Sequence, residues 1–301
     1  MYNEQEVVKI CYNRVKKVLD NITGYDYEII CINDGSKDDT FNILEEISNE
    51  DKKFKIISFS RNFGHQPAVS SGLKLSCGDI IIVIDADMQD PPELIIDMLK
   101  LYEQGNSVVY AKRTVRKGES KLKTYTAKLF YKLINKISDF NIPMDAGDFR
   151  LLGRDVVDVI NSMPERNKYL RGLYSYAGFK QVPIEYERDE RLAGKTKYTM
   201  KKMIKLALDG IISLSTKPLK IVGFLGFTSV IVSLCIIIYA VLSYVIKVDN
   251  ILSGWTSIIV TIVFFGGVQL ISLWIISEYI ARIYDETKRR PEYVIEKKIN
   301  L

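Results

Sequence analysis

The chain has 301 residues, of which 47% are hydrophobic and 26% charged, and its formal net charge is +5. This length fits one sizeable soluble domain with an appendage. The single histidine and four widely spaced cysteines exclude multi-histidine metal centres and give no sign of a zinc site or a disulfide framework. No nucleic-acid-binding motif is present, so the positive charge indicates phosphate compounds or anionic lipids as partners.

Apolar runs alternate with helical segments over the first half of the chain. Strands are predicted at 28–32, 55–59, 80–84 and 107–111, and helices at 5–19, 38–47, 66–75 and 92–102. This alternation predicts a mostly parallel sheet with helices on both faces, whose ligands bind beyond the carboxyl ends of the strands.

The start of the chain departs from this pattern. A sheet of this kind normally begins with a central strand, yet here the residues 1–4 lead directly into a helix. Either the sheet forms without that strand, or the natural protein begins upstream of Met1. We expect the second, with about six to ten further residues that include an apolar run.

Two carboxylates follow the apolar run at 80–84. Asp85 and Asp87 are two residues apart, and in an extended segment this spacing points both to the same side. They can then bind one Mg²⁺ or Mn²⁺ ion, which prefers oxygen ligands. Such an ion would bridge a diphosphate and neutralise the charge on a departing nucleotide. A solvated turn without a metal is the structural alternative.

Polar segments also follow two other predicted strands. Asp34 can accept a hydrogen bond from the N–H group of a nucleobase, or it can cap the next helix together with Ser36. Arg61 can hold a fixed positive charge near a phosphate, or it can be a surface residue of a structural loop. His65 lies in the same segment as Arg61 and is not predicted to be catalytic.

Two stretches without charged residues, 221–246 and 251–277, are each long enough to cross a bilayer at about 1.5 Å per residue. Only four residues separate them, so they predict a hairpin. Lysines cluster before the first stretch and basic residues follow the second, which places the large domain and the tail in the cytoplasm. Buried helices of a soluble protein are disfavoured because neither stretch has a polar face.

A basic cluster precedes the first of these stretches. Apolar residues recur at helical spacing over 199–217, which predicts an amphipathic helix in the membrane interface. The residues before this helix that we predict to bind the phosphate of a lipid are Arg171, Arg188, Arg191, Lys195 and Lys197. Electrostatic anchoring of the membrane segment is the alternative. The predicted organisation is a soluble domain at 1–198, this helix, a transmembrane hairpin at 218–280 and a tail at 281–301.

Several motifs together carry a family resemblance. They are YNE at 2–4, NDGS at 33–36, RNFGHQ at 61–66, DADMQDPPE at 85–93, GDFR at 147–150, GKTKY at 194–198 and EYIARIY at 278–284. In this order they resemble the family 2 glycosyltransferases that act on polyprenyl phosphates, the group of the bactoprenol glucosyltransferases and dolichol-phosphate mannose synthases. The chain departs from the group in lacking the strand before YNE and in having Thr196 where serine is common.

The resemblance implies a fold and a set of residue roles. The fold is α/β, a Rossmann-like nucleotide-sugar-binding domain of the GT-A type with a Mg²⁺ or Mn²⁺ cofactor. Asp34 would bind uracil, Tyr2 and Glu4 would flank the nucleoside, and Asp148 would be the catalytic base. A lipid phosphate has a second pKa of about 6 and needs little deprotonation at neutral pH. Asp148 can therefore equally orient an arginine or the acceptor.

The sequence thus predicts an inverting glycosyltransferase anchored by two spans in the bacterial plasma membrane. It would transfer a sugar, with glucose favoured, from a UDP-sugar to undecaprenyl phosphate on the cytoplasmic face, for modification of cell-envelope glycans. Asp85, Asp87 and Asp148 would act with the donor-binding residues, among them Arg61. The alternatives are a GDP-mannose-dependent mannose synthase and a non-catalytic scaffold that binds nucleotide sugars. The resemblance also implies a homo-oligomer, a tetramer in this group.

Overall fold

The structure is a computed structural model, which describes residues 1–114, 146–166, 168–187, 215–245 and 255–301. Its strands are β1 (Ile29–Asn33), β2 (Phe54–Phe59), β3 (Ile80–Val83), β4 (Val108–Arg113), β5 (Ala146–Gly153), β6 (Gln181–Tyr186) and β7 (Ile295–Ile299). Its helices are α1 (Val8–Asp20), α2 (Thr40–Glu50), α3 (His65–Leu75), α4 (Ile95–Glu103), α5 (Arg154–Ser162), α6 (Leu170–Tyr176), α7 (Lys217–Val245) and α8 (Trp255–Thr287). A short 3₁₀ turn, Pro92–Leu94, precedes α4.

The predicted alternation of strands and helices up to β4 is confirmed, but the prediction of a mostly parallel sheet is wrong. The described strands form two mixed sheets, in the orders β1-β2-β7 and β3-β5-β4-β6. Strand β5 lies antiparallel between β3 and β4, and β7 is antiparallel to β2. Apolar periodicity reports which face of a strand is buried but carries no information on the direction of its neighbour.

The N-terminus lies beside β1 without forming a strand of its own. The amino group of Met1 donates to the carbonyl of Ile32 at 2.6 Å, and the amide of Asp34 donates to the carbonyl of Met1 at 2.8 Å. Met1 thus bonds to the residues on either side of Asn33, as one residue of a parallel ladder does. Among the described residues no strand precedes α1, and the expectation of further upstream residues stays a prediction.

The C-terminal tail returns to the first sheet, a feature that the sequence did not predict. Strand β7 pairs along β2, with Lys297 opposite Ser58. The ring of Tyr293 stacks on that of Phe59 at a centroid distance of 5.0 Å. The tail therefore covers the edge of β2, which would otherwise expose unpaired backbone groups.

Helices α7 and α8 are long and apolar enough to cross a membrane, as predicted. The candidate spans are Lys217–Tyr239 and Val260–Thr287, with mean hydropathies of 2.7 and 2.0. Their large apolar side chains are exposed, for example Phe224 at 67% and Leu270 at 69%. A core helix of a soluble protein would bury such side chains. The predicted amphipathic helix lies almost entirely outside the described residues.

Candidate active site

The loop after β3 carries Asp85 and Asp87, but it is not extended as predicted. Strand β3 ends at Val83, and Asp87 lies in a turn. The next residue, Met88, has a φ of 57°, a left-handed conformation that residues other than glycine rarely adopt. Its side chain is fully buried against α1. Burial of Met88 thus holds the turn, and with it Asp87, in a fixed conformation.

The far end of this loop is fixed by Asp90, whose side chain is completely buried. The hydroxyl of Tyr186 on β6 donates a hydrogen bond to it, and the guanidinium of Arg113 on β4 lies 3.9 Å away. A charged carboxylate is buried at low cost only when it is paired and hydrogen-bonded. These contacts connect the loop of Asp85 and Asp87 to the second sheet.

Asp148 on β5 is held by two side chains from other elements. The Nε and Nη2 atoms of Arg171 on α6 donate to its two oxygens at 2.7 and 2.8 Å. The Nε2 atom of His65, at the start of α3, lies 3.0 Å from Asp148 Oδ2 and acts as the donor, because an ionised carboxylate only accepts. The side chain of Gln66 accepts the amide of Leu170 at 3.0 Å and so joins α3 to α6.

These contacts determine the charge of Asp148. Burial by itself would raise the pKa of its carboxyl, but the charge and hydrogen bonds of Arg171, together with those of His65, hold that pKa well below its ordinary value. An acid this strong is a weak base. The structure shows Asp148 in contact with the guanidinium of Arg171, and its role as a base stays a prediction.

His65 also connects Asp148 to the predicted metal-binding loop. Its Nε2 atom lies 4.0 Å from Oδ1 of Asp85. Burial raises the pKa of the Asp85 carboxyl; the positive charge of His65 opposes this rise, and the negative charges of Asp148, Asp90 and Asp87 add to it. The structure thus brings Asp85, Asp148, Arg171 and His65 together from four separate elements.

Two of these positions differ from the roles assigned by sequence. His65 was not predicted to take part, although its place beyond the carboxyl end of β2 was a signal that could have been used. Arg171 was predicted to bind a lipid phosphate and is found on Asp148. An arginine carries five N–H donors and can serve a carboxylate and a phosphate together, so its predicted role stays open. The other predicted lipid-phosphate residues, Arg188, Arg191, Lys195 and Lys197, lie outside the described residues.

Asp34 has a structural role that differs from both predicted roles, binding a nucleobase and capping the next helix. Its carboxylate accepts hydrogen bonds from the amides of Phe63 at 2.7 Å and Gly64 at 3.0 Å. Asp34 was expected as an alternative to cap the next helix together with Ser36, but the amide of Ser36 donates instead to the side-chain oxygen of Asn33 at 3.1 Å. Asp34 therefore fixes the segment that leads into His65, and its contact with a nucleobase stays a prediction.

A cavity of about 710 Å³ lies beyond the carboxyl ends of β1 and β2. Tyr2 and Arg61, both predicted to bind the donor, line it. Gly35 is required there, since its φ is 63° and a β-carbon on it would lie 2.3 Å from the carbonyl carbon of Arg61. Glu4 does not line the cavity; its amide donates to the hydroxyl of Thr40 at 2.9 Å.

The carboxylates after β3 fit a metal that is shared with a substrate. Among the described residues there is no group of three or more His, Cys, Asp or Glu side chains that would hold a metal alone. Mg²⁺ is typically bound by one or two carboxylates together with substrate phosphates. Asp85 and Asp87 supply hard oxygen ligands of this kind, so they fit an ion that a diphosphate helps to bind.

A match to a known family defines the class of this protein. The family model described as glycosyl transferase family 2 matches residues 1–160. The chain belongs to this family, and its soluble domain has the GT-A type of fold.

Individual relatives extend the likeness to nearly the full chain. A bactoprenol glucosyl transferase of Shigella phage SfX is 41% identical over 98% of this chain and 96% of its own length. A prophage bactoprenol glucosyl transferase homolog of Escherichia coli (strain K12) is 42% identical over 99% of this chain and 96% of its own. An uncharacterized glycosyltransferase of Bacillus subtilis (strain 168), YkcC, is 48% identical over 99% and 91%, respectively.

Proposed function

We propose that this chain transfers a sugar from a UDP-sugar to undecaprenyl phosphate at the cytoplasmic face of the bacterial plasma membrane. The observation that carries the proposal is the cluster of Asp85, His65, Asp148 and Arg171, on a chain that also has two membrane-length helices. The relatives named for transfer of glucose to bactoprenol support the same acceptor and favour glucose.

The donor would lie along the carboxyl edge of both sheets. Its nucleoside fits the cavity beside Tyr2 and Arg61, and its diphosphate would be held at Asp85 and Asp87. A Mg²⁺ or Mn²⁺ ion there would stabilise the negative charge of the departing UDP. The fixed turn around Met88 keeps these carboxylates in position before the donor binds, so little reorganisation accompanies the reaction.

The acceptor phosphate needs positive charge more than it needs a base, because it is mostly dianionic at neutral pH. Arg171, oriented by Asp148, would supply that charge near the reacting atoms. A phosphate oxygen forms the new bond to the anomeric carbon, while the bond from that carbon to UDP breaks and UDP leaves with the electron pair. In-line attack inverts the configuration and gives a β-linked lipid phosphosugar.

The position of the tail supports the proposed sidedness of the membrane segment. Because β7 pairs with β2, the tail and the soluble domain lie on the same side of any membrane that α7 and α8 cross. A hairpin that crosses the membrane twice returns the tail to the side of the soluble domain. Arg282 near the end of α8 and the run Lys288, Arg289 and Arg290 just after it support the cytoplasmic side.

A donor panel tests the proposal. The purified full-length protein would be incubated in undecaprenyl phosphate micelles with radiolabelled UDP-glucose, UDP-galactose, UDP-N-acetylglucosamine or GDP-mannose, with lipid-free reactions as controls. We expect lipid-extractable label from UDP-glucose. Label from GDP-mannose alone would replace the proposed donor by that of a mannose synthase. Binding of UDP-glucose without any labelled lipid would support the non-catalytic scaffold.

A further inference from the structure

One wall of the cavity at the ends of β1 and β2 comes from an unexpected part of the chain. The turn after β1 and the segment after β2 form two of its walls, and both lie within the matched residues 1–160. The third wall is formed by Glu296 and Lys297 of β7. This strand follows the second membrane helix and lies outside the matched family region.

The wall formed by β7 is firmly attached. Lys297 forms an ion pair with Glu45 on α2, and its ammonium group lies 5.1 Å from the ring centroid of Phe41. Beyond β7, the side-chain amide of Asn300 donates to the carbonyls of Ser48 at 2.8 Å and Phe54 at 2.9 Å. Strand β7 is thus held to α2 and β2 independently of any ligand.

The chemistry of the cavity suits a nucleotide. Three basic residues, Lys37, Arg61 and Lys297, line it together with one acidic residue, Glu296. Aromatic residues, among them Tyr2, also line it. Aromatic rings stack on bases, and lysine and arginine form charge-assisted hydrogen bonds with anionic oxygens. The excess of positive charge favours an anionic ligand with a flat apolar part.

We propose that β7 completes the donor-nucleotide site, with Lys297 binding the nucleoside diphosphate directly. The inference rests on the proposed function and adds a residue from outside the family region to the donor site. Because β7 is connected to α8, the donor site is complete only when the membrane hairpin returns the tail to the soluble domain.

Binding of UDP to the full-length protein in detergent, measured by calorimetry with Mg²⁺ present, tests this inference. Replacing Lys297 by alanine should weaken UDP binding about ten- to a hundredfold, the effect of losing one hydrogen bond to a charged group. Lys298→Ala is the matched control, since Lys298 is the next lysine of the same strand but does not line the cavity. We expect the Lys298→Ala variant to bind UDP with the affinity of the wild type.

A third variant separates ligand contact from attachment of the tail. Glu45→Gln removes the ionic partner of Lys297 but keeps the lysine. The pair is half exposed, and the pairing of β7 with β2 and the bonds of Asn300 still hold the tail. We expect this variant to bind UDP as the wild type does. Equal UDP affinity of the Lys297→Ala, Lys298→Ala and wild-type proteins would overturn the proposed role of Lys297 and leave the proposed donor standing. Absence of UDP binding by the wild type would contradict both this role and the proposed donor.

Discussion

Replacing Asp87 by asparagine is expected to lower the turnover number by about two to three orders of magnitude, the loss typical of removing one preorganised electrostatic group. Asparagine keeps the shape of the side chain but removes a charged oxygen ligand. The charge on the departing UDP would then be less well stabilised. A chelator should abolish transfer by the wild type, and added Mg²⁺ or Mn²⁺ should restore it. Initial rates at saturating donor and acceptor measure both effects.

Asp97→Asn provides the matched control for this substitution. Asp97 is an exposed carboxylate on α4 that pairs with Lys100 at 2.8 Å, so its loss should leave the turnover number unchanged. Thermal melting of both variants checks that they remain folded. Undiminished transfer in the presence of excess chelator, or by Asp87→Asn, would exclude a metal-binding role for the loop after β3.

Arg171→Lys is expected to lower the turnover number by about a hundredfold or more. Lysine keeps the positive charge but cannot form the two parallel hydrogen bonds that join the guanidinium to Asp148. The remaining charge would then lie in a different place relative to the acceptor phosphate.

Asp148→Asn should have a similar effect, because the amide cannot accept both hydrogen bonds from Arg171. His65→Ala should have a smaller effect, about tenfold to a hundredfold, as is common for residues that orient a metal or acidic ligand.

Arg14→Lys is the control for the loss of a forked ion pair. Arg14 pairs with Glu93 through two bonds of 2.9 Å at the surface, so its replacement should not change turnover. The dependence of rate on pH separates the two roles of Asp148. If Asp148 orients Arg171, Asp148→Asn lowers the rate at every pH and leaves the acid limb near the phosphate pKa of about 6. Loss or displacement of that limb in the variant would make Asp148 a base.

Local patterns predicted the first half of the fold well. The strand predicted at 55–59 is Phe54–Phe59, and the helix predicted at 66–75 is His65–Leu75. Both depend on neighbouring residues, through an apolar run and through helical periodicity. Strands β5 and β7 show the limit of such patterns. β5 inserts antiparallel between β3 and β4, and β7 pairs with a strand more than two hundred residues earlier in the chain. Both arrangements depend on tertiary contacts.

The candidate site shows the same limit. Asp85 and Asp87 are predicted from their type and their position after a predicted strand, and Asp148 is predicted from the family resemblance. The contact of Asp148 with His65 could not be predicted in this way. The two residues are 83 positions apart in the sequence and meet only in the folded domain. Arg171, predicted to bind a lipid phosphate, contacts Asp148, and this contact also forms only in the folded domain. The sequence predicts which groups can form the site, and the fold determines which of them lie in contact.

Incubation of the purified full-length protein with undecaprenyl phosphate, Mg²⁺ and isotopically labelled UDP-glucose tests sugar transfer most directly. Mass spectrometry detects the lipid product, and NMR of that product gives the configuration at the anomeric carbon. The proposed function predicts glucose linked to undecaprenyl phosphate, with the β configuration at the anomeric carbon, inverted relative to the donor. An equal amount of UDP should form with it. Release of free glucose without a lipid product, or recovery of unchanged donor from a protein that binds it, would contradict the assignment as a polyprenyl-phosphate glycosyltransferase.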